Sequence, residues 1–183
     1  MTVLLGSALC CLAVLTVGRW VTPTVPDLLA SAAVGAALGA VTDEVAILAV
    51  GAWSCAVALV DLNRHRLPND LTLPAAAAVL VAAAHQGGGQ VALLGGLALA
   101  AVHLVGSVVS SGSMGGGDVK LCLALGGLGA TSGPSTWMVA AVLAPTTTLV
   151  LAAMTARTGG AAGIPHGPAL CAATLVAWVN AGT

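Results

Sequence analysis

Charged and aromatic side chains are scarce in this sequence. Among its 183 residues, five are Lys or Arg, six are Asp or Glu, four are Trp, and none is Tyr or Phe. Charged residues make up 6% of the chain, whereas a soluble globular domain carries about 25%. So little polar surface excludes a soluble protein of this size. The net charge of −1 leaves no basic patch that could hold nucleic acid.

The motifs of several common site classes are also missing. The sequence contains no HExxH or GxSxG motif, and its four His residues are too scattered to predict a zinc site. None of the Cys residues is spaced as CxxC, and all lie within apolar runs. We therefore expect small buried hydrophobic side chains rather than disulfides or metal ligands. They are Cys10, Cys11, Cys55, Cys122 and Cys171.

Apolar residues dominate what is present. They make up 58% of the chain, and the mean hydropathy is +1.06, which predicts an all-α, polytopic membrane helix bundle in a single integral membrane domain, 1–183. Several apolar segments are at or below the usual lower limit of about 17 residues for a membrane span. The segments are 3–18, 27–42, 44–60, 71–85, 90–110, 119–132, 136–156 and 168–181. About eight spans are predicted, with six as the alternative if 71–85 and 119–132 are half-buried or re-entrant.

The few charges predict the orientation of these spans. If the chain starts outside and crosses eight times, all cations fall on one face, which the positive-inside rule assigns to the cytoplasm. These cations are Arg19, Arg64, Arg66, Lys120 and Arg157. A cleaved signal peptide is disfavoured because no cation precedes the first apolar run. We therefore expect a protein of the cytoplasmic (inner) membrane, with the loops near Asp61 and Asp118 facing the cytoplasm.

Asp61 and Asp118 lie at the ends of apolar segments. Asp61 directly follows the run 56–60, where burying a carboxylate is costly unless it is paired or protonated. Asp118 follows the glycines at 115–117, which allow close backbone approach and positive φ. The simpler interpretations are a helix-end acid that reaches water beside Arg64 and an N-cap of the next helix.

Together the two carboxylates indicate acid–base chemistry at one membrane face. Two carboxylates a few ångströms apart do not both ionise easily, so one stays protonated while the other acts as a base. The base takes a proton from water, and the acid protonates the scissile carbonyl of a peptide. The pair titrates as a unit, so the sequence does not assign the two roles.

Three stretches, in this order, resemble the type IV prepilin peptidase family, membrane aspartic proteases that process pilin-like precursors. Residues 115–121, GGGDVKL, look like the family's GxGDxKL signature. Asp61 and the downstream 67–69, LPN, resemble its first aspartate and apolar-Pro-Asn turn. Residues 164–170, IPHGPAL, are similar to its IPFGPxL, with His166 replacing the usual Phe, a change expected to affect packing more than catalysis. The resemblance covers about 44–181, the expected catalytic core.

The resemblance implies that Asp61 and Asp118 are the catalytic pair and that no metal or other cofactor is needed. It implies cleavage of a short basic leader from prepilin-like precursors, after a Gly, at the cytoplasmic membrane face. Larger members carry an N-terminal domain with paired CxxC motifs that accompanies N-methylation. This chain resembles the short form of Tad/Flp-type pilus systems, so no methyltransferase activity is expected.

A second group of residues is expected to support the site or bind substrate. They are Gly115, Gly117, Lys120, Asn69 and Pro68. Lys120 is expected either to orient Asp118 or to bind lipid phosphate. Asn69 is expected to cap the next helix or to hold the loop near the site.

Other functions remain open at this level. A presenilin-like intramembrane protease shares the GxGD motif and a PAL sequence, here 168–170, but the chain has no Tyr for that group's Tyr-Asp element. A small proton-coupled transporter would use Asp61, Asp118 and His103, although transport carboxylates belong near the bilayer midplane. A non-catalytic membrane scaffold is the third alternative. His103 lies inside a span and is interpreted as hydrogen-bonded between helices, or else as part of a proton pathway.

Overall fold

The computed structural model describes residues 1–109, 115–157 and 165–181, and within these ranges the chain is helical and contains no strand. The helices are α1 (Thr2–Thr16), α2 (Val25–Val41), α3 (Val45–Arg64), α4 (Asn69–His85), α5 (Gly89–Val109), α6 (Gly116–Thr131), α7 (Pro134–Arg157) and α8 (Gly167–Ala181). A short 3-10 helix, Val17–Arg19, extends α1. Each predicted apolar segment corresponds to one helix, so the predicted all-α helical membrane bundle is confirmed.

The helices differ in how well they match the thickness of a membrane. Four stretches are long and apolar enough to cross one: Thr2–Arg19, Val45–Arg64, Gly89–Val108 and Pro134–Thr155. Helices α2 and α8 are apolar but shorter. The 16 residues of α6 extend about 24 Å, less than a hydrocarbon core of about 30 Å. The sequence analysis identified 71–85 and 119–132 as the least certain membrane spans. The corresponding helices, α4 and α6, are not among these four stretches. The number of spans stays a prediction.

Helices α1 and α2 pack closely because small residues line their contact. A Cβ on Gly6 or on Gly35 would collide with the backbone of the other residue. The Thr2 hydroxyl donates to the carbonyl of Gly39 at 2.9 Å, and the Ser7 hydroxyl donates to Ala32 at 3.1 Å. Such contacts replace the hydrophobic driving force that helices lack in lipid. This pair packs beside α3 and supports it from one side.

The largest apolar core lies between α3, α5, α6, α7 and α8. It includes Val57, Leu99, Leu121, Leu125 and Leu170, each less than 2% exposed. All five Cys residues are free. Cys10, Cys122 and Cys171 are buried, and the other two are partly buried, as expected of small apolar side chains. This core sets the end of α3 beside the beginnings of α6 and α8, which is where the candidate site lies.

Several cations lie at this same end of the bundle. Arg19 pairs with Asp70 in the first turn of α4 at 3.4 Å, and its guanidinium stacks 3.7 Å above the Trp20 ring. Arg64 is the last residue of α3, and Lys120 lies in the first turns of α6. Because α3 begins at the far end, its N-cap, Glu44, lies there. These three cations therefore share one end of the bundle, as the sequence predicted for its Lys and Arg residues. Which end faces the cytoplasm stays a prediction.

Candidate active site

Asp61 is held inside the last turn of α3. Its side chain is 4% exposed, and its Oδ2 accepts a hydrogen bond of 2.9 Å from the backbone N–H of Gly167. Helix α3 ends three residues later at Arg64, and its C-cap, His65, adopts a left-handed conformation (φ 51°, ψ 26°) that turns the chain away from the helix axis. A carboxylate that reaches water beside Arg64 is therefore the wrong interpretation of Asp61.

Asp118 enters from α6, in the first turn. The helix begins at Gly116 with Gly115 as its N-cap, and the Asp118 N–H donates to the Gly115 carbonyl at 3.0 Å. The alternative in which Asp118 is itself the N-cap is therefore wrong. The side chain is 8% exposed, and its Oδ1 is fully buried with no hydrogen-bond partner among the residues that the structure describes. Such an oxygen is costly unless it is protonated or contacts a bound molecule.

The two carboxyl groups line one cavity of about 330 Å³. The remaining lining residues come from the turn after α3 and from the start of α6: His65, Arg66, Leu67, Gly115, Gly116, Gly117 and Lys120. The carboxyl groups are near enough to interact electrostatically, and this interaction is repulsive when both are ionised. The structure thus brings together the two aspartates that the sequence singled out. Their catalytic roles stay a prediction.

Of the three glycines before Asp118, Gly117 is required for close packing, and none adopts an unusual backbone conformation. A Cβ on Gly117 would lie 2.9 Å from the Leu67 Cβ and 3.1 Å from the Leu67 nitrogen. Among the described residues, the glycines with positive φ are Gly87 and Gly133, whereas Gly115 has φ −72°. The positive φ that glycines at 115–117 would allow is therefore not adopted there. The expectation of close approach is confirmed at Gly117, because α6 starts directly against the turn that follows α3.

Lys120 and Asn69 join the two walls of the cavity. The Lys120 ammonium donates to the Asn69 Oδ1 at 2.7 Å, a contact that differs from both roles considered for this lysine. Pro68 is the N-cap of α4, and its carbonyl accepts from the Leu71 and Thr72 N–H groups. Asn69 is the first helical residue, so its predicted capping role was wrong. Its other predicted role, holding the loop near the site, matches the contact with α6.

Sequence reasoning missed Gly167 as a part of the site. This residue begins α8, it is buried, and a Cβ on it would lie 2.7 Å from the Asp61 Oδ2. Only a glycine therefore allows its N–H to approach the carboxyl group so closely. The sequence signal was the glycine within IPHGPAL (164–170), which contributed to the family resemblance but did not by itself indicate a contact with Asp61.

His103 also has a defined partner. Its Nε2 lies 3.0 Å from the Nε2 of His166, in the segment directly before α8, so His103 is hydrogen-bonded to another part of the bundle as interpreted, although its partner lies just outside a helix. Two of the four scattered histidines therefore meet as a pair. Within the ranges that the structure describes, no cluster of three or more His, Cys, Asp or Glu could hold a metal ion.

One comparison with known proteins is informative. The model of the type IV leader peptidase family matches residues 48–155, more than half of the chain. This range contains both Asp61 and Asp118 and ends before Gly167. No curated protein and no solved structure matches the chain.

Proposed function

Because the chain belongs to the type IV leader peptidase family and is a helical membrane protein, we propose that it is an aspartic endopeptidase with Asp61 and Asp118 as its catalytic pair. Its substrates would be prepilin-like precursors, from which it removes a short leader. The observation that carries this proposal is the shared cavity, into which α3 and α6 each bring one buried carboxyl group. Two such groups in a chain with six acidic residues are a costly arrangement unless they act together.

The chemistry follows from a pair of carboxyl groups that share one proton. The ionised carboxylate takes a proton from a water molecule as the oxygen of that water attacks the scissile carbonyl carbon. The protonated partner gives its proton to the carbonyl oxygen, which forms a neutral tetrahedral intermediate. Collapse of the intermediate breaks the C–N bond: the newly protonated carboxyl group delivers its proton to the leaving nitrogen, and one hydroxyl of the intermediate returns its proton to the other carboxylate as the carbonyl re-forms. The pair is then ready for another cycle.

The walls of the cavity suit an extended peptide. The segment 115–117 carries no side chains, so the backbone of a substrate can come close to both carboxyl groups. Because the cavity lies at one end of the bundle, the apolar helix of a precursor can stay in the bilayer while its leader reaches the carboxyl groups. The arrangement of Arg and Lys supports a cytoplasmic location for this end. The lack of CxxC motifs supports cleavage without methylation of the product.

The position of the aspartates disfavours a transporter. Asp61 lies in the last turn of α3 and Asp118 in the first turn of α6, whereas ion-coupling carboxylates are expected near the middle of a membrane. A presenilin-like protease would use the same pair, but the chain has no Tyr for the Tyr-Asp element of that group. The prepilin assignment is therefore favoured over both alternatives.

The test is cleavage of a precursor by the purified protein in lipid vesicles. The precursor carries a short basic leader before an apolar helix, and its size is followed on gels. We expect Asp61→Asn and Asp118→Asn each to lower the cleavage rate at least about 1,000-fold, because neither amide can take part in proton transfer. Asp43→Asn, at an exposed acid between α2 and α3, is the matched control and should leave cleavage unchanged.

Normal processing by either site variant would refute the assigned pair. Mass spectrometry of the product formed with a methyl donor present tests the proposed lack of methylation, because a methylated N-terminus would contradict a cleavage-only enzyme.

A further inference from the structure

Two histidines from distant parts of the chain form a buried pair beside the site. His103 lies on α5 and His166 directly precedes α8, and their side chains are 3% and 4% exposed. The two Nε2 atoms lie 3.0 Å apart, and the ring centroids are 5.0 Å apart with the planes tilted by 46°. Burying an imidazole is costly unless its nitrogens are hydrogen-bonded. The partners of all four ring nitrogens therefore decide what this pair can do.

The outer nitrogens of the pair also have partners. The His103 Nδ1 lies 2.9 Å from the Leu99 carbonyl oxygen, and because a carbonyl only accepts, this nitrogen carries the hydrogen. The His166 Nδ1 lies 2.8 Å from the Thr148 hydroxyl, which is also 3.0 Å from the Ala144 carbonyl oxygen. Each ring is therefore held at both nitrogens, and the chain of contacts connects α5, α7 and the segment before α8.

These contacts hold in two protonation states. When the pair is neutral, His166 donates from Nε2 to His103, and its Nδ1 accepts from the Thr148 hydroxyl. When the pair gains one proton, His103 donates to His166, whose Nδ1 donates to Thr148, and the hydroxyl turns to the Ala144 carbonyl. The heavy atoms need not move between the two states. The ring of His166 is thus fixed over a wide range of pH.

Fixing the ring of His166 also fixes the peptide that follows it. That peptide carries the Gly167 N–H, which donates to the Asp61 Oδ2 at 2.9 Å. Gly167 has little freedom of its own, because even a Cβ there would contact Asp61 at 2.7 Å. A small rotation of the His166 residue would therefore change the hydrogen bond on which the Asp61 carboxyl group depends.

We propose that His103 and His166 are positioning residues for Asp61: their hydrogen bond fixes the amide of Gly167, and this amide orients the Asp61 carboxyl group toward the cavity. The inference rests on the proposed role of Asp61. Neither histidine is among the residues that line the cavity, so a role through the Gly167 amide is assigned to them rather than contact with the substrate.

The test compares single and double replacements in the cleavage assay. His166→Phe and His103→Phe each leave one imidazole buried beside an apolar ring, so its Nε2 loses its partner. We expect each to lower kcat by roughly 10- to 100-fold while KM stays within about twofold, because the carboxyl group is misplaced but the cavity is intact. The double variant removes both imidazoles and places two rings in the same tilted geometry. It should be less impaired than either single variant.

Two further variants keep the test decisive. His166→Gln can still hydrogen-bond to His103 and should retain more activity than His166→Phe, which a role in ring packing alone would not produce. His85→Phe, at the exposed far end of α4, is the matched control and should behave as the original protein. The amount of protein in vesicles and its Tm are measured for every variant, so that misfolding is recognised separately from loss of kcat.

Each outcome bears on the proposal. A lower kcat with an unchanged pH optimum supports positioning, and a shifted optimum would overturn it in favour of proton transfer. Independent, additive effects of the two single replacements would also overturn it. If Asp61→Asn abolishes cleavage while His166→Phe cleaves normally, this inference alone fails. If Asp61→Asn cleaves normally, the proposed function itself fails.

Discussion

Replacing Gly167 with Ala adds a single methyl group next to Asp61. The added Cβ would lie 2.7 Å from the Asp61 Oδ2 and 3.2 Å from its Cγ. Ordinary van der Waals contact begins near 3.4 Å, so the carboxyl group and the start of α8 must separate by about 0.7 Å. The hydrogen bond between the Gly167 nitrogen and Oδ2, now 2.9 Å, would lengthen beyond the usual limit of about 3.2 Å.

The expected effect falls on catalysis more than on folding. A hydrogen bond to a charged group contributes about 1.5–3 kcal/mol, and a misplacement of about 1 Å can cost up to about 100-fold in rate. We therefore expect Gly167→Ala to lower kcat by about 10- to 100-fold. Alanine favours a helix over glycine by up to about 1 kcal/mol, so the free energy of unfolding should change much less than kcat suggests.

The assay is precursor cleavage in vesicles at saturating substrate, with Tm measured on the same preparations. Gly106→Ala is the control, since it also replaces a helical glycine but its Cβ would meet nothing within 4 Å. Full cleavage by Gly167→Ala would refute the view that this amide positions Asp61. An equal loss in Gly106→Ala would show that the membrane helices, rather than the site, had been disturbed.

Two further predictions concern the walls of the cavity. Gly117→Ala would bring a Cβ to 2.9 Å from the Leu67 Cβ and 3.1 Å from the Leu67 nitrogen, so the start of α6 must move. We expect the free energy of unfolding to fall by about 1–3 kcal/mol and cleavage to become slower. If neither measurement changes, the close contact is contradicted. Lys120→Met and Asn69→Leu each remove one partner of the 2.7 Å contact between α6 and α4. Because the contact is exposed, a double-mutant cycle on cleavage should give a coupling of about 0.2–1 kcal/mol, and strictly additive effects would contradict a contribution of this contact to cleavage.

The helices could be predicted because apolar runs and their interruptions mark them directly. The run before Asp61 corresponds to α3, and the glycine and proline connections around 86–89 and 132–134 separate α4 from α5 and α6 from α7. The number of membrane spans was harder to predict, since α4 has 17 residues and α6 has 16, which is at or just below the usual lower limit for a span. Their buried faces become visible only once the neighbouring helices are in place.

Some features of the candidate site could likewise be predicted from the sequence, and others could not. The two aspartates could be predicted because a carboxylate at the edge of an apolar run is rare and costly. The contact between Gly167 and Asp61 could not, because it joins residues separated by 106 positions and depends on how α8 docks against α3. The pairing of His103 with His166 was hidden for the same reason. The preference of Asn for N-cap positions also gave a wrong prediction at Asn69. Pro68 is the N-cap of α4, and the Asn69 side-chain oxygen instead accepts a hydrogen bond from Lys120.

The bond between Gly167 and Asp61 has a consequence for the order in which the molecule is made. Helix α3 leaves the ribosome and enters the bilayer long before α8 is synthesised, and Asp61 travels with it. Until α8 arrives, that carboxyl group lacks its amide donor and the amide lacks its acceptor. A nascent chain that already displays both acids therefore still lacks this hydrogen bond, and if the two acids act as proposed, it should begin to cleave precursors only when α8 has docked.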